Sequence, residues 1–360
     1  MKTKRTKKQS SNERSLDLQI ENLEPRQMLA GNVTAFINGA GALIINGDGG
    51  DNQILVEVGE SGDVTVTGQD DEVIDDSGLQ DAQLSGDIMI NLRGGDDSVY
   101  VTGPLGEGDE GVVPLDASFV DDIRIVGGSG NDRLGINAVN GATGNLTLSG
   151  GSGDDNLSLN YAETSGDVTI IGGSGNDTAS VFVVGAEDIT LITGGGDDMA
   201  GIVGSVASGS LNIRGGSGDD LTALKYSEGR NVNIISGGGD DTVSAADNMF
   251  AITTLQTGGG NDTVDILENF GSTGALRVVT GGGNDEVELT SNVEAGGFTD
   301  SAFILGGGND SLRLGGEGQF PNPIIARGGA GTDSLTLPPG LTINELGFES
   351  DGDADDDDDA

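Results

Sequence analysis

Eleven aspartates close glycine-rich runs along this chain: Asp97, Asp132, Asp155, Asp177, Asp198, Asp220, Asp241, Asp262, Asp285, Asp310 and Asp333. Asn52 takes the same place in a first, degenerate unit. A representative run is Gly172-Gly173-Ser174-Gly175-Asn176-Asp177. Glycine loses too much backbone entropy to fill a helix or strand interior, so such a run suits a tight turn with positive φ. The Asn-Asp pair then sets a carboxylate at a corner where backbone carbonyls turn outward. Carboxylates and carbonyls are oxygen donors, which is the chemistry of hard cations. Zinc wants His or Cys, and the chain has neither.

The elements that must position these aspartates follow from spacing. From Asp132 onward the intervals are 23, 22, 21, 22, 21, 21, 23, 25 and 23 residues. A period of about 22 over successive units means a solenoid or array. Apolar residues stand two and four places after each aspartate, as at Leu134/Ile136, Ala179/Val181 and Val264/Ile266. They also stand nine and seven places before, as at Leu146/Leu148, Val168/Ile170 and Leu276/Val278. Thr222, Thr253 and Ser301 are the polar exceptions. Alternation with period two on both sides of a turn predicts two short strands per unit, each with one buried face. Such units wind into a flattened coil, an all-β parallel β-solenoid with its glycine turns stacked along one edge. Twelve coils at the strand spacing of about 4.8 Å make a rod on the order of 55 Å long.

Stacking has a chemical consequence. Carboxylates about 5 Å apart repel by about 1 kcal/mol per neighbouring pair even at the dielectric of water. The chain holds 60 Asp+Glu against 16 Lys+Arg, a net charge of -44. Seven of those basic residues lie in residues 1–26, leaving nine for the rest. A divalent cation between successive turns would supply the countercharge. Calcium accepts six to eight oxygens in irregular geometry, whereas magnesium holds to a strict octahedron and keeps its waters. The competing reading is that the Asn-Asp pairs only form turns, which both residues do well.

The same composition excludes other classes. An acidic excess of this size makes nucleic acid an unnatural partner. No apolar run approaches the ~18 residues of a membrane span. Metallopeptidase chemistry needs an H-E-x-x-H site, and no Gly-Lys-[Ser/Thr] follows any glycine turn to make a phosphate loop. With three Tyr, no Trp and no His, a sugar-cleaving groove is poorly supplied. We expect no enzyme. A polysaccharide lyase or epimerase on a solenoid, or an adhesin module, is the alternative. A pore-forming toxin would need a long apolar domain before the repeats.

Two segments carry a resemblance. Gly127-Gly128-Ser129-Gly130-Asn131-Asp132 and its equivalents at 150–155, 172–177 and 215–220 resemble the RTX, or haemolysin-type, calcium-binding repeat. Five further runs, beginning at Gly194, Gly237, Gly258, Gly281 and Gly306, keep Gly-Gly-Gly-[Asn/Asp]-Asp, with Thr, Ser or Leu in the leading place. The resemblance covers about residues 120–337 well and 43–101 loosely. It implies calcium held by backbone oxygens of the turn and by the closing Asp, with folding driven by calcium after export. The ligands it implies are Gly128, Gly130 and Asp132, then Gly151, Gly153 and Asp155, then Gly173, Gly175 and Asp177. They continue through Gly194, Gly196 and Asp198, Gly216, Gly218 and Asp220, and Gly237, Gly239 and Asp241. Gly258, Gly260 and Asp262, Gly281, Gly283 and Asp285, Gly306, Gly308 and Asp310, and Gly329, Gly331 and Asp333 complete the series, with Asp97 ahead of it. The family's nonapeptides run in tandem and line both edges of the roll. Here one glycine turn occurs per coil, so ions are expected along one edge.

The second resemblance is Leu23-Glu24-Pro25-Arg26-Gln27-Met28-Leu29, which is similar to the LEPR-XLL segment near the N-terminus of many bacterial surface or secreted proteins. Met28 departs from the usual Leu. The organisation expected is an export-associated basic segment over 1–30, degenerate coils over 31–101, and an inserted loop over 102–119 with Pro104 and Pro114. The regular solenoid follows over 120–340, then a cap over 341–349 and an acidic disordered tail over 350–360. A coil lacking its glycine turn is expected between Asn52 and Asp97, with Asp63-Val64-Thr65-Val66 part of it. The function these readings predict is a calcium-binding structural protein, secreted or at the cell surface, with cell-envelope or extracellular-matrix components as further partners.

Overall fold

The computed structural model describes residues 32–348 apart from 60, 70–72, 80–81, 104–114, 268–273, 291–299, 317–323 and 342. The basic N-terminal segment, most of the inserted loop and the acidic tail lie outside the described residues.

The described chain is all β and forms a parallel β-solenoid. The strand before each glycine turn stacks in one column, which runs through Ile123–Ser129, Leu146–Ser152, Val168–Ser174 and Ile189–Gly195 and on to Ile324–Ala330. The strand after each turn stacks in a second column, which begins at Gln53–Val58 and ends at Ser334–Thr336. The register is the one the aspartate spacing demands. Val168, Thr169 and Ile170 face Leu146, Thr147 and Leu148 on one side and Ile189, Thr190 and Leu191 on the other. Parallel pairing lets each strand satisfy its backbone from the coils above and below.

The alternation in sequence becomes the core. Val181 is 1 % exposed and Ile170 is fully buried, while Ser180 and Thr169 are only half-buried. The polar exceptions Thr222, Thr253 and Ser301 are buried with the rest of their columns. One apolar cluster runs continuously from Val33 to Ala326.

The middle coils carry a third strand segment. It comprises Leu115–Asp116, Val139–Ala142, the second halves of Asn156–Thr164 and Thr178–Ala186, and Val206–Ala207, each paired in parallel with the next. In the coils of Asp132 to Asp241 a corner stands six residues past the aspartate. Ala138, Tyr161, Val183, Gly204, Tyr226 and Asp247 stand there with φ between +50° and +63°. Just beyond the corner lie Ser205, Ser227 and Asn248, all fully buried. Their side chains accept backbone N–H bonds from the preceding coil, as Ser205 Oγ does from Val184 N at 3.2 Å and Asn248 Oδ1 from Ser227 N at 3.0 Å.

One expectation is corrected. No coil intervenes between Asn52 and Asp97. Gln53–Val58 pairs directly and in parallel with Ser98–Thr102. Val64–Gly68 instead folds back antiparallel on Gln53–Val58. Gly62, at φ +81°, closes the tight turn between them and donates to Gly59 O at 3.0 Å. Asn32–Ile37 likewise runs antiparallel to Leu43–Asn46, and Val73–Gly78 lies parallel beside it. These strands cover the N-terminal end of the stack, where an open parallel edge would otherwise invite another strand. At the other end Asn344–Leu346 pairs with Ile324–Ala330, and Leu341, Ile343 and Phe348 pack against the core.

Candidate metal centre

The glycine turns do two jobs. Their second and fourth residues sit in the left-handed region, as at Gly173 (φ +128°) and Gly175 (φ +119°). They also approach the coil beneath: a Cβ on Gly173 would meet Gly151 O at 2.0 Å. A side chain at either place is therefore excluded by both conformation and space.

Behind this turn every predicted aspartate points inward. From Asp132 to Asp333 the marked aspartates are buried, none more than 4 % exposed. One oxygen of each is used. Asp177 Oδ1 accepts from Asp155 N at 2.8 Å, and Asp198 Oδ1 from Asp177 N at 2.7 Å. The bond repeats in every coil from Asp97 N to Asp333 Oδ1, at 2.7–3.0 Å. At the first coil Asn52 N donates to Asp97 Oδ1 at 2.7 Å. The other oxygen, Oδ2, is buried without a well-formed hydrogen bond in all ten residues from Asp132 to Asp333, though the Thr193 and Thr257 hydroxyls stand close enough to the Asp198 and Asp262 carboxyls to favour their charged forms.

Burial sets the electrostatics. It pushes the carboxyls of Asp132, Asp155, Asp177 and Asp220 up to about 6, against the opposing pull of the N–H that each accepts. Asp241 is pushed up to about 7, again mainly by burial and further by the charges of Asp220 and Asp262. Asp198, Asp262 and Asp310 are raised for the same first reason. At neutral pH such a column must either carry countercharge or take up protons.

Two further side-chain ladders escaped the sequence reading. The residue before each marked aspartate, exposed, bonds in the opposite direction along the rod. Asp154 N donates to Asn131 Oδ1 at 2.7 Å, and Asn176 N to Asp154 Oδ1 at 2.8 Å. A third ladder stands ten residues before the marks, where Asn145 N donates to Asp122 Oδ1 at 2.6 Å and Asp167 N to Asn145 Oδ1 at 2.9 Å. The signal was present: Asp87, Asp122, Asn145, Asp167 and Asp188 each immediately precede the first buried residue of a strand.

Among the described residues no three carboxylates converge on one point. A cation here would therefore draw on backbone carbonyls as well, which calcium accepts readily. The structure places all the sequence-predicted aspartates from Asp97 to Asp333, with their turn glycines, in one column along one corner.

Elsewhere, a shallow groove follows the third strand, lined by Tyr161, Val183, Val206 and Glu163, with Glu187 farther along. The Tyr161 and Phe182 rings meet edge to face, 5.2 Å apart. No described helix is long and apolar enough to cross a membrane. The chain matches no protein-family model, and no curated protein and no solved structure is significantly similar to it.

Proposed function

We propose that the chain is a structural protein, secreted or held at the cell surface, whose solenoid is kept folded by calcium ions bound along one corner. The observation that carries this reading is the column of buried Oδ2 atoms without well-formed hydrogen bonds from Asp132 to Asp333. A buried ionised group without a partner is costly. Turn formation and the Oδ1 bond would be served equally by asparagine, which brings no charge, and Asn52 does stand at the head of the column. Retaining eleven aspartates behind it makes sense when cations take up second oxygens along the column. Weak sites of this kind suit calcium at extracellular concentrations. The LEPR-XLL-like residues 23–29 support export in the same direction.

Circular dichroism during a calcium titration tests this. In chelator the column repels itself and part of the β structure is lost; millimolar calcium restores it, because ion binding then appears as folding free energy. Asp220→Asn should weaken the response, and Asp356→Asn in the acidic tail should not. Full β content in chelator that calcium leaves unchanged would sink the proposal.

A second reading, binding of a sugar chain along the third-strand groove, is favoured by Tyr161, which is 50 % exposed at its lip. Titration with oligosaccharides followed by tyrosine fluorescence would detect it, and a Tyr161→Ala variant would abolish the signal.

A further inference from the structure

The aspartate column is uniform, but what stands beside it is not. The variable is the residue five places before each aspartate. Gly127, Gly150, Gly172, Gly215 and Gly328 lead Asp132, Asp155, Asp177, Asp220 and Asp333. Thr193, Ser236, Thr257, Thr280 and Leu305 lead the others from Asp198 to Asp310.

In the glycine-led coils the aspartate occupies the space that a side chain would need. A Cβ at any of the five leading glycines would lie 2.0–2.3 Å from Oδ2. In three of them a second oxygen reaches the same space. Thr193 O lies 2.6 Å from that point at Gly172, Ser236 O 2.6 Å at Gly215, and Gly347 O 2.5 Å at Gly328. A carboxylate oxygen and a carbonyl oxygen thus crowd one spot. Both are acceptors, so they want a proton or a cation between them.

The threonine-led coils supply a proton there. Thr193 Oγ1 donates to Gly215 O at 3.2 Å, Thr257 Oγ1 to Thr280 O at 3.2 Å and Thr280 Oγ1 to Leu305 O at 2.7 Å. Each acceptor is the leading-residue carbonyl of the next coil, the counterpart of Thr193 O and Ser236 O above. Leu305 fills the space with hydrocarbon and is fully buried. Ser236 does not close its coil in this way, because its hydroxyl is buried without a partner.

We propose that the leading residue sorts the column into two classes of coil. Those of Asp132, Asp155, Asp177, Asp220, Asp241 and Asp333 each take a divalent cation. In those led by Thr193, Thr257, Thr280 and Leu305 a hydroxyl or hydrocarbon fills the place of the ion, and they take none although their Oδ2 oxygens are buried like the rest. This rests on the cation reading above and goes beyond it. The two classes are not scattered evenly: Gly127, Gly150 and Gly172 lead three successive coils, and Thr257, Thr280 and Leu305 lead three others. In a solenoid each coil contacts only its neighbours, so local stability can differ along the rod. The earlier block is cation-dependent and the later block folds without the ion, offering a surface on which the rest can stack.

Hydrogen exchange of the full chain, in calcium and in chelator, tests this. Calcium should slow exchange in Leu146–Ser152 and Val168–Ser174 by about tenfold or more, the scale expected when ligand far exceeds its dissociation constant. Ala275–Gly282 and Ser311–Gly315 should be protected in both conditions. Gly172→Thr copies the coil at Thr193 and should remove one bound ion and make Val168–Ser174 protected in chelator as well. Thr257→Gly, which opens space, should add one ion and make Thr253 to Ile266 calcium-dependent; it carries the test if the first variant does not fold. Equal protection of both blocks by calcium, or an ion count unmoved by both variants, would overturn the sorting while leaving calcium binding intact. Absence of calcium binding to the unaltered chain at millimolar concentration would overturn the cation reading itself.

Discussion

Asp177→Asn should change stability in opposite directions depending on whether calcium is present. The substitution keeps the acceptor that Asp155 N uses, a bond of 2.8 Å through Oδ1. It removes the charge and replaces Oδ2 by a donor that faces the same space as Thr193 O. Burial raises the Asp177 carboxyl from 3.8 to about 6. At about 1.4 kcal/mol per pKa unit the gap corresponds to about 3 kcal/mol against the ionised form near neutral pH. Asp177 is 1 % exposed, yet it lies directly beneath the exposed turn residues Ser174 and Asn176, where solvent screens part of that cost. Discounted for that screening, the gain on removing the charge is about 1–2 kcal/mol. In chelator the variant should therefore be the more stable by about that amount, a rise of a few degrees in Tm. In calcium it loses a ligand shared by adjacent coils and should be the less stable. Thermal melts of both proteins in both conditions, followed by far-ultraviolet circular dichroism, measure the effect. A change of the same sign in calcium and in chelator would refute the idea that Oδ2 is a cation ligand.

The pH dependence should also invert. The raised folded-state values favour the neutral carboxyl, so calcium-free stability is greatest below about pH 4 and declines as pH rises through about 6 to 7, the range reached by Asp132, Asp155, Asp177, Asp220 and Asp241. With calcium saturating, stability should instead rise over the same interval, and urea midpoints at several pH values would show it. Val181→Lys buries an unpaired charge at several kcal/mol and should split the stack, whereas Ser180→Lys, on the outward side of the same strand, should leave the calcium-bound fold intact; the reverse ranking would mean that the strand register is wrong by one residue. Val183 holds φ +53°, which is strained for a β-branched residue, so Val183→Gly should raise the unfolding free energy read from urea melts by about 1 kcal/mol, and a loss instead would mean that its side chain anchors the corner.

The repeat, the register and the aspartate column were all legible in the sequence. Each depends on a local rule: glycine where φ must be positive, alternation where one face is buried, and a constant interval between equivalent turns. Those rules make the same demand in every coil, so Leu157, Ala179 and Ala200 align whether read from spacing or from strand pairing. What the sequence could not decide was where the pattern departs from itself. The interval between Asn52 and Asp97 has room for a coil, and only the structure shows that Val64–Gly68 folds back antiparallel on Gln53–Val58. Parallel and antiparallel pairing bury the same alternating face, so alternation cannot tell them apart. The left-handed corner at Tyr161, Val183 and Tyr226 carries no glycine to announce it except Gly204, because the stack on either side imposes the conformation against local preference. The fate of the carboxylates was likewise undecided. Composition says that they repel, but which oxygen meets a backbone N–H, which is left buried, and what crowds the space beside it depend on how far each coil overlaps the next. That overlap exists only once the coils are stacked.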